Sequence, residues 1–265
     1  MRDEALALVR LVADPAEKLN LLREYLQALA LRSLHESEAF ACLSFVGGTA
    51  LRFAYGLPRF SEDLDFSLEN AEGYEPAAWL KKMKSDLTLA GFDASVSWDD
   101  RATVHKAWVG IAGILKEANL AALPAQKLSI KLEIDTRPPA GAVVERDVIT
   151  RHRILALQHH DLASLMAGKV HALLTREYPK GRDWYDLIWY RGRRPPAEPN
   201  LALLQNALDQ TAGAGRRSAE NWRSDLAELA AGLSWKALRD DVRAFLERPA
   251  EAELLDPGNL AAVLR

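Results

Sequence analysis

Apolar positions recur at helical spacing over residues 2–34, a pattern that predicts two amphipathic helices. The break between them should fall near Asp14-Pro15, because proline suits the first turn of a helix. The next segment, Ala39–Val46, is a short apolar run that ends at a glycine, and it predicts a buried strand.

Strand-like patterns dominate the middle of the chain. The predicted strands cover residues 62–67, 92–98, 103–114 and 128–136, and the predicted helix covers Pro76–Leu89 and is closed by Gly91. In residues 128–136, Leu132 and Ile134 fall on the apolar face, whereas Lys131, Glu133 and Asp135 fall on the polar face.

Helical patterns account for everything beyond about residue 155. The predicted helices cover residues 159–176, 182–192, 201–212, 219–231 and 235–247, and prolines 195, 196 and 199 mark a linker. The pattern therefore predicts an α/β (α+β) fold in three parts. These are N-terminal helices (1–35), an α/β core (36–150) and a helical C-terminal domain (151–265).

Composition adds the expected environment. Hydrophobic residues make up 49% of the chain and charged residues 27%, values typical of a globular protein in water. The single cysteine, Cys42, excludes an intramolecular disulfide and a cysteine-cluster metal site, as suits a reducing compartment. Without a signal-peptide pattern or an apolar run of about 18 residues, we expect a cytoplasmic protein without membrane attachment.

Charge is unevenly distributed along the chain. The net charge is −3, but residues 151–194 carry nine Lys/Arg against four Asp/Glu. Such a local basic excess can bind RNA phosphates, and it can equally represent solvated helix faces.

The segment from Gly47 to Asp65 carries the main chemical signal. A Gly-Gly-Thr turn after an apolar run lets backbone approach an anion, and a helix starting at Thr49 would point free N–H groups at phosphate. Asp63 and Asp65 alternate on the following strand, so their carboxylates leave one face roughly 6.7 Å apart. Mg²⁺ favours such carboxylates together with substrate phosphates. The combination predicts a nucleotidyl transfer site.

A third carboxylate could complete this site. Asp135 lies on a polar strand face and could share a metal ion or accept a proton. Glu133 on the same face could play that part, and a solvated strand face explains both residues without any function.

Two helices downstream carry a further polar set. Lys169 and Arg176 share one helix face, and Lys169 could neutralise charge on a phosphate. Asp183 and Asp186 could hold that lysine or orient an acceptor hydroxyl, or the set could be a plain salt bridge between the helices. The aromatic pair Trp184-Tyr185 favours core packing over base stacking.

The histidines do not suggest a metal site. His105, His159, His160 and His171 have no metal-ligand partners at suitable sequence spacing, so they are interpreted as structural or surface residues.

The sequence Gly47-Gly48-Thr49-Ala50-Leu51, followed by Leu57-Pro-Arg-Phe-Ser-Glu-Asp-Leu-Asp-Phe66, resembles the signature of the AbiEii/AbiGii-type nucleotidyltransferases. These are the toxins of type IV toxin–antitoxin and abortive-infection modules and include the MenT toxins. The Lys169 helix and the Arg182-Asp183-X-X-Asp186-Leu segment resemble the family's later motifs.

The resemblance implies a polymerase-β-like nucleotidyltransferase core with a mixed sheet, followed by an all-helical domain. It also implies Mg²⁺ (or Mn²⁺), a nucleoside triphosphate (NTP) as co-substrate, tRNA or another RNA as acceptor, and a cognate antitoxin. By motif match, the nucleotide-binding residues would be Gly47, Gly48, Thr49, Arg59, Ser61, Lys169 and Asp186. The metal ligands would be Asp63, Asp65 and Asp135, and the catalytic set would be Asp63, Asp65, Asp135, Lys169 and Asp183, with the choice between Asp183 and Asp186 open.

The leading hypothesis is transfer of a nucleoside monophosphate (NMP) from an NTP to an RNA 3′-hydroxyl with release of pyrophosphate. One alternative is a protein or small-molecule acceptor such as an aminoglycoside. Another is a non-catalytic module that binds a nucleotide or the antitoxin.

Overall fold

The protein, described over residues 1–265 by a computed structural model, combines a seven-stranded mixed sheet with eleven α-helices. The strands are β1 (Leu43–Val46), β2 (Leu64–Leu68), β3 (Asp93–Asp99), β4 (Val104–Ala112), β5 (Leu128–Asp135), β6 (Val144–Ile149) and β7 (Leu155–His160). The helices are α1 (Arg2–Val9), α2 (Pro15–Glu36), α3 (Gly47–Tyr55), α4 (Pro76–Leu89), α5 (Ile114–Glu117), α6 (Leu162–Thr175), α7 (Gly181–Gly192), α8 (Leu201–Ala212), α9 (Trp222–Ala230), α10 (Trp235–Arg243) and α11 (Pro257–Leu264).

The sheet has the strand order β3-β4-β5-β2-β1-β7-β6. The central strand β2 pairs with β1 in antiparallel fashion and with β5 in parallel fashion. Strand β7 runs parallel to β1, whereas β3, β4 and β5 form antiparallel pairs. The mixed α/β fold class predicted from the sequence is confirmed.

Capping side chains fix where the long helices begin. Asp14 accepts hydrogen bonds from the backbone N–H groups of Ala16 and Glu17, and Pro15 occupies the first turn of α2. The α6 helix begins in the same way, because Asp161 accepts from Ser164 N at 2.7 Å. The local sequence therefore sets both starting points.

Aromatic side chains pack over one face of the central sheet. Phe45 on β1 and Phe66 on β2 are almost fully buried, and their ring centroids lie 5.4 Å apart. Phe40 packs on Phe66, and Phe53 from α3 packs edge-on against Phe45. Since side chains alternate along a strand, the residues between these aromatics project from the other face.

The chain divides into two compact units. The first unit comprises Met1–Ala54, Phe60–Pro138 and Glu145–His159, and contains the N-terminal helices and most of the sheet. The second comprises Tyr55–Arg59, Pro139–Val144 and His160–Arg265, and contains α6 to α11. The three-part division expected from the sequence stays a prediction.

Most predicted elements are confirmed, and α4 has the predicted bounds. The expectation of helices alone after residue 155 was wrong, because β7 spans Leu155–His160. Strand β6 and helix α11 were not predicted, and β1 is shorter than expected because Ala39–Ala41 is a 3₁₀ helix. No helix is both long enough and apolar enough to cross a membrane.

Candidate active site

Gly47 lies directly against the carboxylate of Asp65. Antiparallel pairing of β1 with β2 sets Val46 opposite Asp65, and the chain then turns at Gly47 with φ +77°. A Cβ atom at Gly47 would overlap the Asp65 Oδ2 atom, so any larger residue at this turn would have to displace that carboxylate. The structure thus brings the glycine turn and Asp65 together, and α3 begins at Gly47 rather than at Thr49 as expected.

Asp63 lies just before β2, in a segment held by side chains from two helices. The Thr49 hydroxyl donates a hydrogen bond to the backbone carbonyl of Asp63. From α2, Gln27 Nε2 donates to the carbonyl oxygens of Ser61 at 3.1 Å and Glu62 at 2.9 Å. Thr49 and Gln27 therefore position the backbone of the segment that leads into β2. Asp63 and Asp65 are both partly exposed.

Strand register places Glu133, rather than Asp135, beside Asp65. The parallel pairing of β2 with β5 matches Asp65 with Glu133, and Ser67 with Asp135. Asp135 ends its strand by accepting a hydrogen bond from the backbone N–H of Arg137 at 2.9 Å. The predicted role of Asp135 stays a prediction, and Glu133 is the residue of β5 that lies opposite Asp65.

Lysines accompany this carboxylate face. Lys131 Nζ lies 2.7 Å from Glu133 Oε1, and Lys106 Nζ lies 3.9 Å from the same oxygen. Burial acts to lower the pKa of Lys131, but the hydrogen bond to Glu133 and the charges of Glu133, Asp63 and Asp65 raise it above the ordinary value. Lys131 therefore stays protonated beside the acidic residues.

A buried ion-pair cluster supports the helix that follows the glycine turn. Arg52 on α3 binds Glu24 on α2, and both side chains are about 97–98% buried. Arg151 Nη1 lies 3.2 Å and His152 Nε2 2.9 Å from Glu24 Oε1. This cluster was missed from the sequence because its members lie far apart in the chain.

In the second unit, Lys169 lies between two aspartates. Its Nζ atom is 2.7 Å from Asp183 Oδ1 and 2.8 Å from Asp186 Oδ2. Arg176 Nη1 binds Asp183 Oδ2 at 2.7 Å, and Arg59 binds Asp186 through two hydrogen bonds of 2.6 Å. The predicted set is brought together, and the salt bridge between helices exists. Trp184 and Tyr185 are buried as predicted.

Both aspartates of this cluster are buried, but the cations that pair with them differ in exposure. Asp186 and Arg59 are buried, whereas the Arg176 side chain that pairs with Asp183 is 41% exposed. Burial acts to raise the pKa of Asp183, but the charges of Lys169 and Arg176 outweigh it and lower the pKa from its ordinary value. Burial likewise opposes the charge on Lys169, and Asp186 and Asp183 together raise its pKa. Asp183 and Lys169 therefore remain charged at neutral pH.

A separate group could also hold a metal ion. Ligand atoms of Glu145 and Asp147 on β6 and of His159 on β7 all lie within 4.8 Å of one another. His159 is in register with Phe45, so it projects from the face opposite Asp65. The expectation that His159 lacks ligand partners was wrong, because its partners come from the neighbouring strand.

The residues at the glycine turn fit a divalent cation bound to a polyphosphate. Asp63 and Asp65 supply carboxylate oxygens, the ligands that Mg²⁺ and Mn²⁺ prefer. Gly47 is partly exposed, and its lack of a Cβ makes room for the Asp65 carboxylate.

Two solved structures share this fold. One is a candidate nucleotidyltransferase from H. pylori, with a TM-score of 0.55 and 19% sequence identity over 92% of this chain and 94% of that chain. The other is JHP933 from Helicobacter pylori, with a TM-score of 0.52 and 19% identity over 92% of this chain and 91% of that chain. No curated protein matches the sequence.

These structures share the fold of this chain, and the family follows from the sequence. Residues 29–258 match the family described as the nucleotidyl transferase AbiEii toxin of type IV toxin–antitoxin systems. The chain belongs to this family, which confirms the resemblance seen in the motifs. Family membership implies a nucleotide substrate and an antitoxin partner.

Proposed function

We propose that this protein transfers an NMP from an NTP to the 3′ end of tRNA and releases pyrophosphate. The observation that carries the proposal is the contact of Gly47 with Asp65, because it joins an anion-binding turn to a carboxylate. Asp63 and Asp65 would hold Mg²⁺ (or Mn²⁺), and Gly47 and Gly48 would contact the triphosphate. Thr49 is buried and would act through its hydrogen bond to the Asp63 carbonyl.

The reaction balances without further reactants. The acceptor hydroxyl oxygen bonds to the α-phosphorus, the bond to the bridging oxygen breaks, and pyrophosphate leaves. The hydroxyl proton is released to water through a carboxylate of the Asp65 strand face. A bound Mg²⁺ would supply Lewis-acid polarisation of the α-phosphate and charge neutralisation. The turn and the Asp65 face hold and orient the reactants, which is the main source of rate in such transfers.

The buried cluster of the second unit supplies the remaining predicted residues. We propose that Lys169 contacts phosphate and Asp183 is the acid of this set, since Asp183 pairs with the half-exposed Arg176. Asp186 holds Arg59 and Lys169 in place. Arg59 and Ser61, which were predicted to bind the nucleotide, would then support the site indirectly. Arg59 is buried against Asp186, and the Ser61 carbonyl accepts a hydrogen bond from Gln27.

The basic excess in residues 151–194 favours RNA as the acceptor. We also propose a cytoplasmic location, because the reaction needs NTP and tRNA. The expected partner is a cognate antitoxin, because the family belongs to type IV toxin–antitoxin systems.

The test is incubation of the protein with total tRNA and each NTP labelled at the α-phosphate. We expect label on tRNA with one preferred base, no label on tRNA whose 3′-diol has been oxidised by periodate, and none with Asp65→Ala. Label on a protein band or a small molecule alone would replace the RNA acceptor, and unchanged transfer by Asp65→Ala would refute the site.

A further inference from the structure

The carboxylate that matches Asp65 in the strand register is neutralised by this chain's own cations. Glu133 matches Asp65 in the β2–β5 register, and its Oε1 atom binds Lys131 Nζ at 2.7 Å. Lys106 Nζ approaches the same oxygen at 3.9 Å. Glu133 is therefore an ion-pair partner in this structure, and its charge is compensated without a metal ion.

Counting charges shows what this means for metal binding. Asp63, Asp65 and Glu133 contribute three negative charges, while Lys131 and Lys106 contribute two positive ones. Three uncompensated carboxylates could share two divalent ions, as in two-metal sites. Here a second ion would have to displace an ammonium group from Glu133 and lie next to it, which like-charge repulsion opposes.

We propose that the ammonium group of Lys131 takes the place of a second metal ion, so that the site binds one divalent cation together with the nucleotide. The inference rests on the proposed function. Glu133 is then the positioning residue that holds Lys131 beside Asp63 and Asp65. A fixed ammonium neutralises phosphate charge without requiring a second ion from solution.

The test counts bound Mn²⁺ by the electron paramagnetic resonance signal of the free ion, without turnover. The protein is titrated in the presence of α,β-methylene analogues of ATP, CTP, GTP and UTP in turn. Every protein carries Asp147→Asn, so that the group of Glu145, Asp147 and His159 does not contribute to the count.

We expect one nucleotide-dependent Mn²⁺ in the parent protein. Lys131→Met should leave Glu133 with only the more distant Lys106 and raise the count to two, while lowering transfer by about 100-fold. Glu133→Gln should leave Lys131 without its partner and weaken Mn²⁺ binding instead, because the ammonium then faces Asp63 and Asp65 alone. Mn²⁺ binding thus increases in Lys131→Met and weakens in Glu133→Gln. A merely structural ion pair would leave the Mn²⁺ count unchanged in both variants.

Lys127→Met is the matched control. Lys127 lies just before β5 and binds Ser95 Oγ at 2.9 Å, away from the Glu133 carboxylate, so its removal should change neither the count nor transfer. Two tight ions in the parent protein, or one ion in both parent and Lys131→Met, would overturn the inference. Failure of the proposed function looks different: no Mn²⁺ would depend on the nucleotide, and Asp65→Asn would change nothing.

Discussion

Arg59 and Asp186 are separated by 127 residues in the sequence, yet they form a bidentate ion pair with two hydrogen bonds of 2.6 Å inside the second unit. Both side chains are almost fully buried. The Asp186 carboxylate is buried between two cations, Arg59 and Lys169, so its first role is to stabilise the fold.

This arrangement predicts different outcomes for the two aspartates. Asp186→Asn leaves Arg59 as an uncompensated buried charge, since Lys169 keeps Asp183, and should cost about 3–5 kcal/mol of unfolding free energy. Asp183→Asn should cost about 1–2 kcal/mol, because Lys169 keeps Asp186 and Arg176 can reach solvent, but it should lose transfer activity. Urea unfolding and a transfer assay on both variants check this. Equal destabilisation with transfer retained by Asp183→Asn would contradict the assignment.

A pair of glycine substitutions isolates the turn. Gly47 and Gly56 both have positive φ, +77° and +71°, but a Cβ at Gly56 meets nothing within 4 Å, whereas one at Gly47 overlaps Asp65. Each Gly→Ala change should cost about 1–2 kcal/mol of backbone strain, and Gly47→Ala alone should also displace the Asp65 carboxylate. We expect transfer to be lost in Gly47→Ala and retained in Gly56→Ala. Equal activities in the two variants would show that the contact is unimportant.

Glu24 makes stability depend on acid pH. Burial acts to raise the pKa of Glu24, but hydrogen bonds from His152 and Arg52 and the charges of Arg52 and Arg151 lower it from 4.5 to about 2. A carboxyl whose pKa is lower in the folded than in the unfolded state stabilises the fold at any pH above its pKa in the unfolded chain. This stabilisation is lost as the pH falls from about 4.5 towards 2. Glu24→Gln should therefore lose about 3–5 kcal/mol at pH 7 and flatten the acid limb of the stability profile.

The control for Glu24 is Glu36→Gln. Glu36 pairs with Arg32 at 2.7 Å, but both side chains are well exposed. Such a surface pair should contribute less than about 1 kcal/mol. If denaturant unfolding from pH 7 to pH 3 shows similar losses for the two variants, the buried cluster does not support α3 in the way described.

Much of the central architecture is visible in the sequence because its signals are local. The glycines of the turn, the alternating Asp63 and Asp65, and the capped helix α2 each depend on neighbours in the chain. Strand β6 escaped prediction because it is an exposed edge strand whose sequence, Val-Glu-Arg-Asp-Val-Ile, carries almost no apolar alternation.

The residues that lie opposite one another on neighbouring strands could not be predicted, because strand register depends on segments far apart in the chain. The sequence leaves Glu133 and Asp135 equivalent on one strand face, and only the pairing of β2 with β5 matches Glu133 to Asp65. The burial of Glu24 against Arg52 depends in the same way on how α2 and α3 pack. A lone charged residue within a helix gives no sign of such a partner.

The most direct test of the central claim is calorimetric binding of a non-hydrolysable NTP analogue with and without Mg²⁺. The account predicts tight binding that requires Mg²⁺ in the native protein, and loss of this Mg²⁺ dependence in Asp65→Asn with the fold intact by circular dichroism. Binding of equal strength without Mg²⁺, or an Asp65→Asn protein that binds the Mg²⁺–nucleotide complex as the native protein does, would contradict it.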